Sequence, residues 1–218
     1  MKNFKTKLLV TGLLLAASAG LFIFVQVRRI TPGRGAPDSP AVGTNAPDFS
    51  VTDSNGKTQS VSQYKGKYVV LEWFNPECPF VKKHYGSGNM QKLQEEFTGK
   101  DIVWLTIDSS APGKQGHLTS EEANQKIAKL KMKSTALVID TDGKAGQTYG
   151  AKTTPHMFVI NPEGKIVYQG AIDSRNSTNA ADIPSATNYV KVALEESLAG
   201  KQVGTATTRS YGCSVKYN

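Results

Sequence analysis

Residues 68–74, YVVLEWF, run through Asn75, Pro76 and Glu77 into Cys78 and Pro79, and from there into a basic amphipathic stretch. So concentrated a run of β-branched and aromatic residues has the make-up of a buried strand. Pro79 suits the first turn of a helix, where its missing N–H costs nothing. A strand that turns directly into a helix already constrains the chain to a layered α/β arrangement. The alternation then repeats. DIVWLTI (101–107) and ALVID (136–140) read as strands, and 78–97 reads as a helix broken near Gly86 and Gly88. The spacing predicts a helix over 120–131 that Ser120 caps, and a short turn-and-helix segment over 141–150. HMFVINPEGKIVYQG (156–170) is a hairpin turning at Asn161–Gly164, and a last helix over 186–199 is stopped by Gly200. Two short alternating segments around Asp53–Gly56 predict a further hairpin. The fold class expected is a mixed central sheet with helices on its faces, in one domain, as the 218 residues allow.

Charge decides what this domain meets. The chain carries a formal +8, but six of its 26 basic residues and none of its 18 acidic ones lie in 1–35. The remainder is nearly neutral, which argues for membrane contact at the N-terminus and against a nucleic-acid surface. Leu8–Val27, flanked by Lys2, Lys5, Lys7 and by Arg28 and Arg29, is an apolar run of the length one membrane-crossing helix needs. It is expected to be a signal anchor, or a signal peptide cleaved near Ala17–Ala19, with the following domain extracytoplasmic or periplasmic. The organisation expected is 1–29 anchor or signal peptide, 30–47 Pro/Gly-rich linker, 48–200 globular domain and 201–218 tail.

The chain has two cysteines, Cys78 and Cys213. A thiolate at the first turn of a helix meets unpaired backbone N–H groups and the positive end of the helix dipole, with Lys82 and Lys83 a turn away. Cys78 is therefore read as a reactive thiol rather than a small buried hydrophobe. The tail is long enough to bring Cys213 back across the face of a small domain. A pair formed that way is either a structural staple or a catalytic couple.

VGTNAPDFSV, YKGKYVVLEWFNPEC and TTPHMFVINPEGKIVYQGAID together resemble the thioredoxin superfamily, in its redoxin and AhpC/TSA-like branch with an N-terminal β-hairpin extension. The resemblance spans about residues 43–200. It implies a thioredoxin-like fold, here preceded by one transmembrane helix, and a thiol-disulfide oxidoreductase or thiol-dependent antioxidant without a cofactor or bound metal. Cys78 then matches the attacking thiolate, activated by the helix terminus and Lys82. Pro155 matches the cis-proline facing that cysteine, Thr154 the residue before it, and Glu72 a buried proton acceptor. His156, Trp73 and Pro79 are expected beside the substrate. Val81 stands where a thioredoxin has its second cysteine, so Cys213 is the candidate resolving thiol. Leu71 and Asn75 replace the Pro and Thr or Ser of peroxiredoxins, so that activity does not transfer directly. The partners implied are protein thiols or disulfides, or a peroxide, and a separate redox partner.

Two other readings compete. Cys78 and His156 with a third ligand would suit copper, as in membrane-anchored Sco-type chaperones, although Lys82 stands where those have a second cysteine. A non-catalytic binding module with a vestigial Cys78 is the other. His84 and His117 read as solvated or structural.

Overall fold

The computed structural model describes residues 39–218. The expected anchor and the first part of the linker lie outside the described residues. Among the described residues no helix is long and apolar enough to cross a membrane.

A small antiparallel ribbon, β1 (Val51–Thr52) with β2 (Thr58–Gln59), precedes β3 (Val69–Trp73), the middle strand of the main sheet. Helices α1 (Pro79–Gly86) and α2 (Asn89–Thr98) follow, separated where Gly88 takes a φ of 76°. Next come β4 (Val103–Asp108), α3 (Ser120–Leu130), β5 (Ala136–Ile139) and α4 (Lys144–Thr148). The chain continues through β6 (Thr153–Thr154), β7 (His156–Ile160), β8 (Ile166–Gly170), α5 (Tyr189–Leu198) and β9 (Cys213–Ser214). The sheet order is β5-β4-β3-β7-β8, parallel from β5 to β3 and antiparallel from β3 to β8. That is the mixed, helix-flanked sheet of the thioredoxin-like architecture.

All five residues of β3 are buried, because both faces of the sheet are covered. Alternation along the strand divides them. Val70 joins Cys78, Val81, Tyr85, Phe97, Trp104, Met157 and Val159 beneath the helices, with Val190 and Leu194 of α5. Val69, Leu71 and Trp73 face the other way, against Phe49, Val61, Tyr149 and Phe158. Each such aliphatic or aromatic side chain contributes about 1.5–3 kcal/mol by leaving water.

Three expectations change in detail. The cap of α3 is Thr119, not Ser120: Thr119 Oγ1 accepts from Glu122 N at 3.3 Å while Glu122 Oε2 accepts from Thr119 N at 2.8 Å, a reciprocal capping box. α5 starts later than 186, because Asn188 Oδ1 caps Lys191 N at 2.9 Å and Ser174 N donates to Thr187 O at 3.0 Å, holding the preceding residues extended. The tail, whose sequence shows no helical period, is a strap fastened along its length. Thr208 N and Gln169 O pair at 3.0 Å, Ala111 N donates to Lys216 O at 2.8 Å, and Tyr217 OH donates to Ala151 O at 2.9 Å.

Candidate functional site

β3 ends at Trp73, and the corner to α1 is shaped by Asn75, whose Oδ1 accepts from Glu77 N at 2.8 Å while its Nδ2 donates to Gln115 O at 3.0 Å. Cys78 follows as the N-cap of α1 with Pro79 at the first helical position. Its carbonyl starts the helix by accepting from Lys82 N at 2.9 Å. The thiol donates to the carbonyl of Thr154 at 3.1 Å, and the Thr154–Pro155 peptide bond is cis. Cys78, Thr154 and Pro155 thus meet at one point although 76 residues separate the first two.

The tail closes over that point. β9 pairs antiparallel with β6 so that Cys213 stands opposite Thr154, and Thr154 Oγ1 donates to Cys213 O at 3.5 Å. The approach requires glycine at 212: its φ is +130°, and a Cβ there would lie 2.1 Å from Thr154 O. Cys78 is completely buried, Cys213 is half-buried and packed against the same core cluster, and both are free thiols. Burial works against a Cys78 thiolate. The Cys213 thiol, the Thr154 side chain and the backbone N–H groups of Val81 and Cys213 outweigh it and bring the Cys78 pKa below its ordinary value. Cys213 moves the other way, pushed up to about 11 by burial first and then by the neighbouring Cys78.

A buried polar network fixes the strap beside Cys213. Asp173 accepts from Arg175 N at 2.8 Å and from the hydroxyl of Tyr211, and Phe80 packs on the Tyr211 ring at 5.7 Å. Lys83 Nζ, fully buried on α1, lies 3.5 Å from Asp173 Oδ2 and donates to Arg175 O at 3.0 Å. His84 is the next residue of α1. Asn89 donates to its Nδ1 at 2.9 Å, so Nε2 carries the proton and faces Asp173 Oδ2 at 3.8 Å. Burial, only partly offset by Asp173, brings the His84 pKa down to about 4. Sequence reasoning missed Asp173 and Tyr211, while His84, read as solvated or structural, is a buried structural residue. The signal available was two adjacent cationic side chains on a helix with an apolar face.

Several expected site residues lie elsewhere. Lys82 is exposed on α1, and the largest contributions to the lowered Cys78 pKa come from Cys213, Thr154 and the backbone of Val81. Trp73 is buried on the far face of the sheet, where its Nε1 donates to Ser109 Oγ at 3.1 Å. His156 shares that far face: its ring lies 4.7 Å from Phe158 and its Nδ1 accepts from Lys152 N at 3.3 Å. Burial, then Lys152, lowers its pKa to about 4. The period-2 alternation of β7 separates it from Cys78, since Met157 and not His156 faces the helices. Glu72 is on the Cys78 side but makes no hydrogen bond to it. Its carboxylate accepts from Tyr85 OH at 2.9 Å, Gln94 Nε2 at 3.1 Å, Trp104 Nε1 at 2.8 Å and Thr106 Oγ1 at 3.1 Å. Burial raises its pKa against the pull of these four donors. Pro79 is exposed beside the cysteine pair. Among the described residues no group of three His, Cys, Asp or Glu could hold a metal ion.

The profile of the AhpC/TSA family matches residues 42–169. A curated relative, the thiol-disulfide oxidoreductase ResA of Bacillus subtilis, is 30% identical over 130 residues, 60% of this chain and 67% of the relative. Two solved structures have the same fold. A hypothetical protein of Sinorhizobium meliloti superposes with a TM-score of 0.70 at 23% identity, over 83% of this chain and 96% of its own. An uncharacterized conserved protein of Geobacillus kaustophilus does so with a TM-score of 0.70 at 22% identity, over 85% of this chain and 94% of its own.

Proposed function

The chain belongs to the AhpC/TSA family, and on that premise we propose that it is a thiol-disulfide oxidoreductase whose redox couple is Cys78 with Cys213. The observation that carries this reading is the placement of Cys213 opposite Thr154, whose carbonyl accepts from the buried Cys78 thiol at 3.1 Å. Val81 removes the local dithiol, and the strap supplies a second thiol in its place. β9 and the Tyr211 to Asp173 hydrogen bond hold Cys213 in position, which favours closure of the disulfide, a bond of about 2.05 Å between the two sulfurs. The helix terminus and the neighbouring donors favour the Cys78 thiolate when the bond opens. Relatives named thiol-disulfide oxidoreductase support the reaction class. The substrates are thiols or disulfides of other proteins, and a separate redox partner resets the couple. The apolar run 8–27 between basic flanks supports a membrane-tethered domain on the extracytoplasmic side.

The test is a titration of the detergent-solubilised full-length chain in glutathione redox buffers, read by peptide mass spectrometry without reductant. A reversible Cys78–Cys213 linkage, with turnover of a disulfide-bonded peptide that C78S and C213S each abolish, is the expected result. Cysteines that stay unlinked across the whole range overturn it. The same experiment with limiting peroxide as sole oxidant separates peroxide reduction from disulfide exchange.

The copper reading loses its second ligand, because His156 lies on the opposite sheet face from Cys78.

A further inference from the structure

A substrate meets one of the two sulfurs first, and the two are not equally placed. Cys78 has no exposed surface: Thr154, the α1 turn and the strap enclose it. Cys213 is half-buried on a two-residue strand at the domain surface. Beside it opens a cleft of about 590 Å³ whose walls include Phe80, Thr153, Asp173, Arg209, Tyr211 and Gly212. Thr153 and Gly212 flank the Thr154 and Cys213 pair, so a polypeptide lying in this cleft brings its thiol to the Cys213 side.

We infer that the substrate is a reduced protein dithiol that exchanges with Cys213, while Cys78 is the leaving sulfur, the reverse of the order implied by the sequence resemblance. The inference rests on the two-cysteine reading. In the first step a substrate thiolate attacks Cys213 Sγ of the Cys78–Cys213 disulfide. A substrate–Cys213 bond forms, the intramolecular S–S bond breaks, and its electron pair departs on Cys78 as a thiolate. In the second step the other thiolate of the substrate attacks its own bonded sulfur. The substrate leaves as a disulfide, two electrons remain on the protein, and Cys213 takes up a proton.

Two physical arguments favour this order. The sulfur attacked must be reachable, and only Cys213 is accessible without displacing the strap. The sulfur expelled should be the more stable thiolate, since the lower-pKa thiol leaves faster. Cys78 sits at a helix N-terminus, where the backbone N–H groups of Val81 and Cys213 and the Thr154 side chain remain to stabilise its thiolate once Cys213 carries the substrate, whereas Cys213 lies on an extended strand with no helix terminus behind it. A reduced form stabilised at Cys78 also makes the couple the more oxidising, which suits a protein that takes electrons from dithiols.

The experiment uses the oxidised full-length chain in detergent, with the Cys78–Cys213 disulfide verified beforehand. Glutathione is added as the probe thiol, early time points are quenched in acid, free thiols are alkylated, and peptides are mapped. The expected product carries glutathione on Cys213 and the alkyl group on Cys78, in at least tenfold excess over the converse. Glutathione found mainly on Cys78, or a disulfide that resists glutathione altogether, overturns the inference and leaves the two-cysteine reading standing. Failure of the disulfide to form before glutathione is added overturns both.

Discussion

The two faces of one sheet are packed on different principles. Behind Trp73 the core is a stack of aromatic rings: Trp73, Tyr149 and Phe158 lie with centroids 5.2–5.4 Å apart, and the one histidine there is wedged against Phe158. On the Cys78 face, buried charges and hydrogen-bonding side chains are threaded through the apolar packing, Glu72 in one cage and Asp173 with Lys83 in another. The aromatic face keeps its buried carboxylate, Asp140, at the rim, where Ser109 Oγ and the backbone N–H groups of Ala145 and Gly146 donate to it, and its centre needs only to exclude water. The cysteine face must also hold a strap and two thiols in register, and directional hydrogen bonds do that where non-directional packing does not.

The sharpest way to break this contrast is to damage both faces equally and ask which damage reaches the thiols. Asp173→Ala strands the buried Lys83 ammonium, at a cost of about 3–5 kcal/mol, and frees Tyr211. Phe158→Ala on the other face costs a similar ~3–5 kcal/mol by leaving a cavity. Denaturant midpoints should fall alike in both. The glutathione concentration needed to open the Cys78–Cys213 bond should fall at least tenfold in Asp173→Ala alone; an equal fall in both variants would dissolve the distinction.

Glu72→Gln tests whether all the buried polarity of the cysteine face serves the thiols. One carboxylate oxygen replaced by an amide NH2 faces the donors of Tyr85, Gln94, Trp104 or Thr106, and the mismatch costs about 1–3 kcal/mol. Because Glu72 makes no hydrogen bond to Cys78, the rate of glutathione exchange should stay within twofold of wild type, and a larger drop would restore a proton-transfer role.

Tyr211→Phe removes one hydrogen bond to a charged acceptor, about 1.5 kcal/mol, and acts on the strap alone. Measured as the equilibrium between linked and unlinked cysteines, it should weaken the linkage severalfold with little change in global stability.

The smallest effect near neutrality belongs to His156. Its folded pKa is lowered to about 4 by burial, so between about pH 4 and 6.5 the unfolded chain binds the proton and the native state does not. Stability therefore rises with pH through that window, by up to about 1.4 kcal/mol per pH unit for one such group. His156→Phe should flatten the dependence by that amount, seen in denaturant midpoints between pH 4 and 7. An unchanged slope would mean that His156 is not held neutral in the fold.

Much of the architecture is legible because periodicity reports burial. YVVLEWF and HMFVI announce strands covered on both sides, and the Asn161–Gly164 turn joins β7 to β8 as read. Helix boundaries are less legible, since Thr119 and Ser120 are equally good capping residues and only the reach of Glu122 back to Thr119 decides between them. The site is partly legible. Cys78, Thr154 and Pro155 meet as their order along the chain suggests, whereas His156 and Trp73, adjacent to them in sequence, point to the other face because side chains alternate along a strand.

By itself the sequence determined the alternation of strands and helices, the position of a cysteine at a helix start and the presence of a second cysteine in the tail. These depend on local preferences and on side-chain period, which act over a few residues. Only the tertiary structure decided that the tail is a strap, that Gly212 lets it lie against Thr154, and that Asp173, Lys83 and Tyr211 fasten it beside the buried sulfur. A buried charge declares its partner only in three dimensions. Asp173 is 90 residues from Lys83 and 38 from Tyr211, and no local pattern links residues whose contact is set by how whole elements pack.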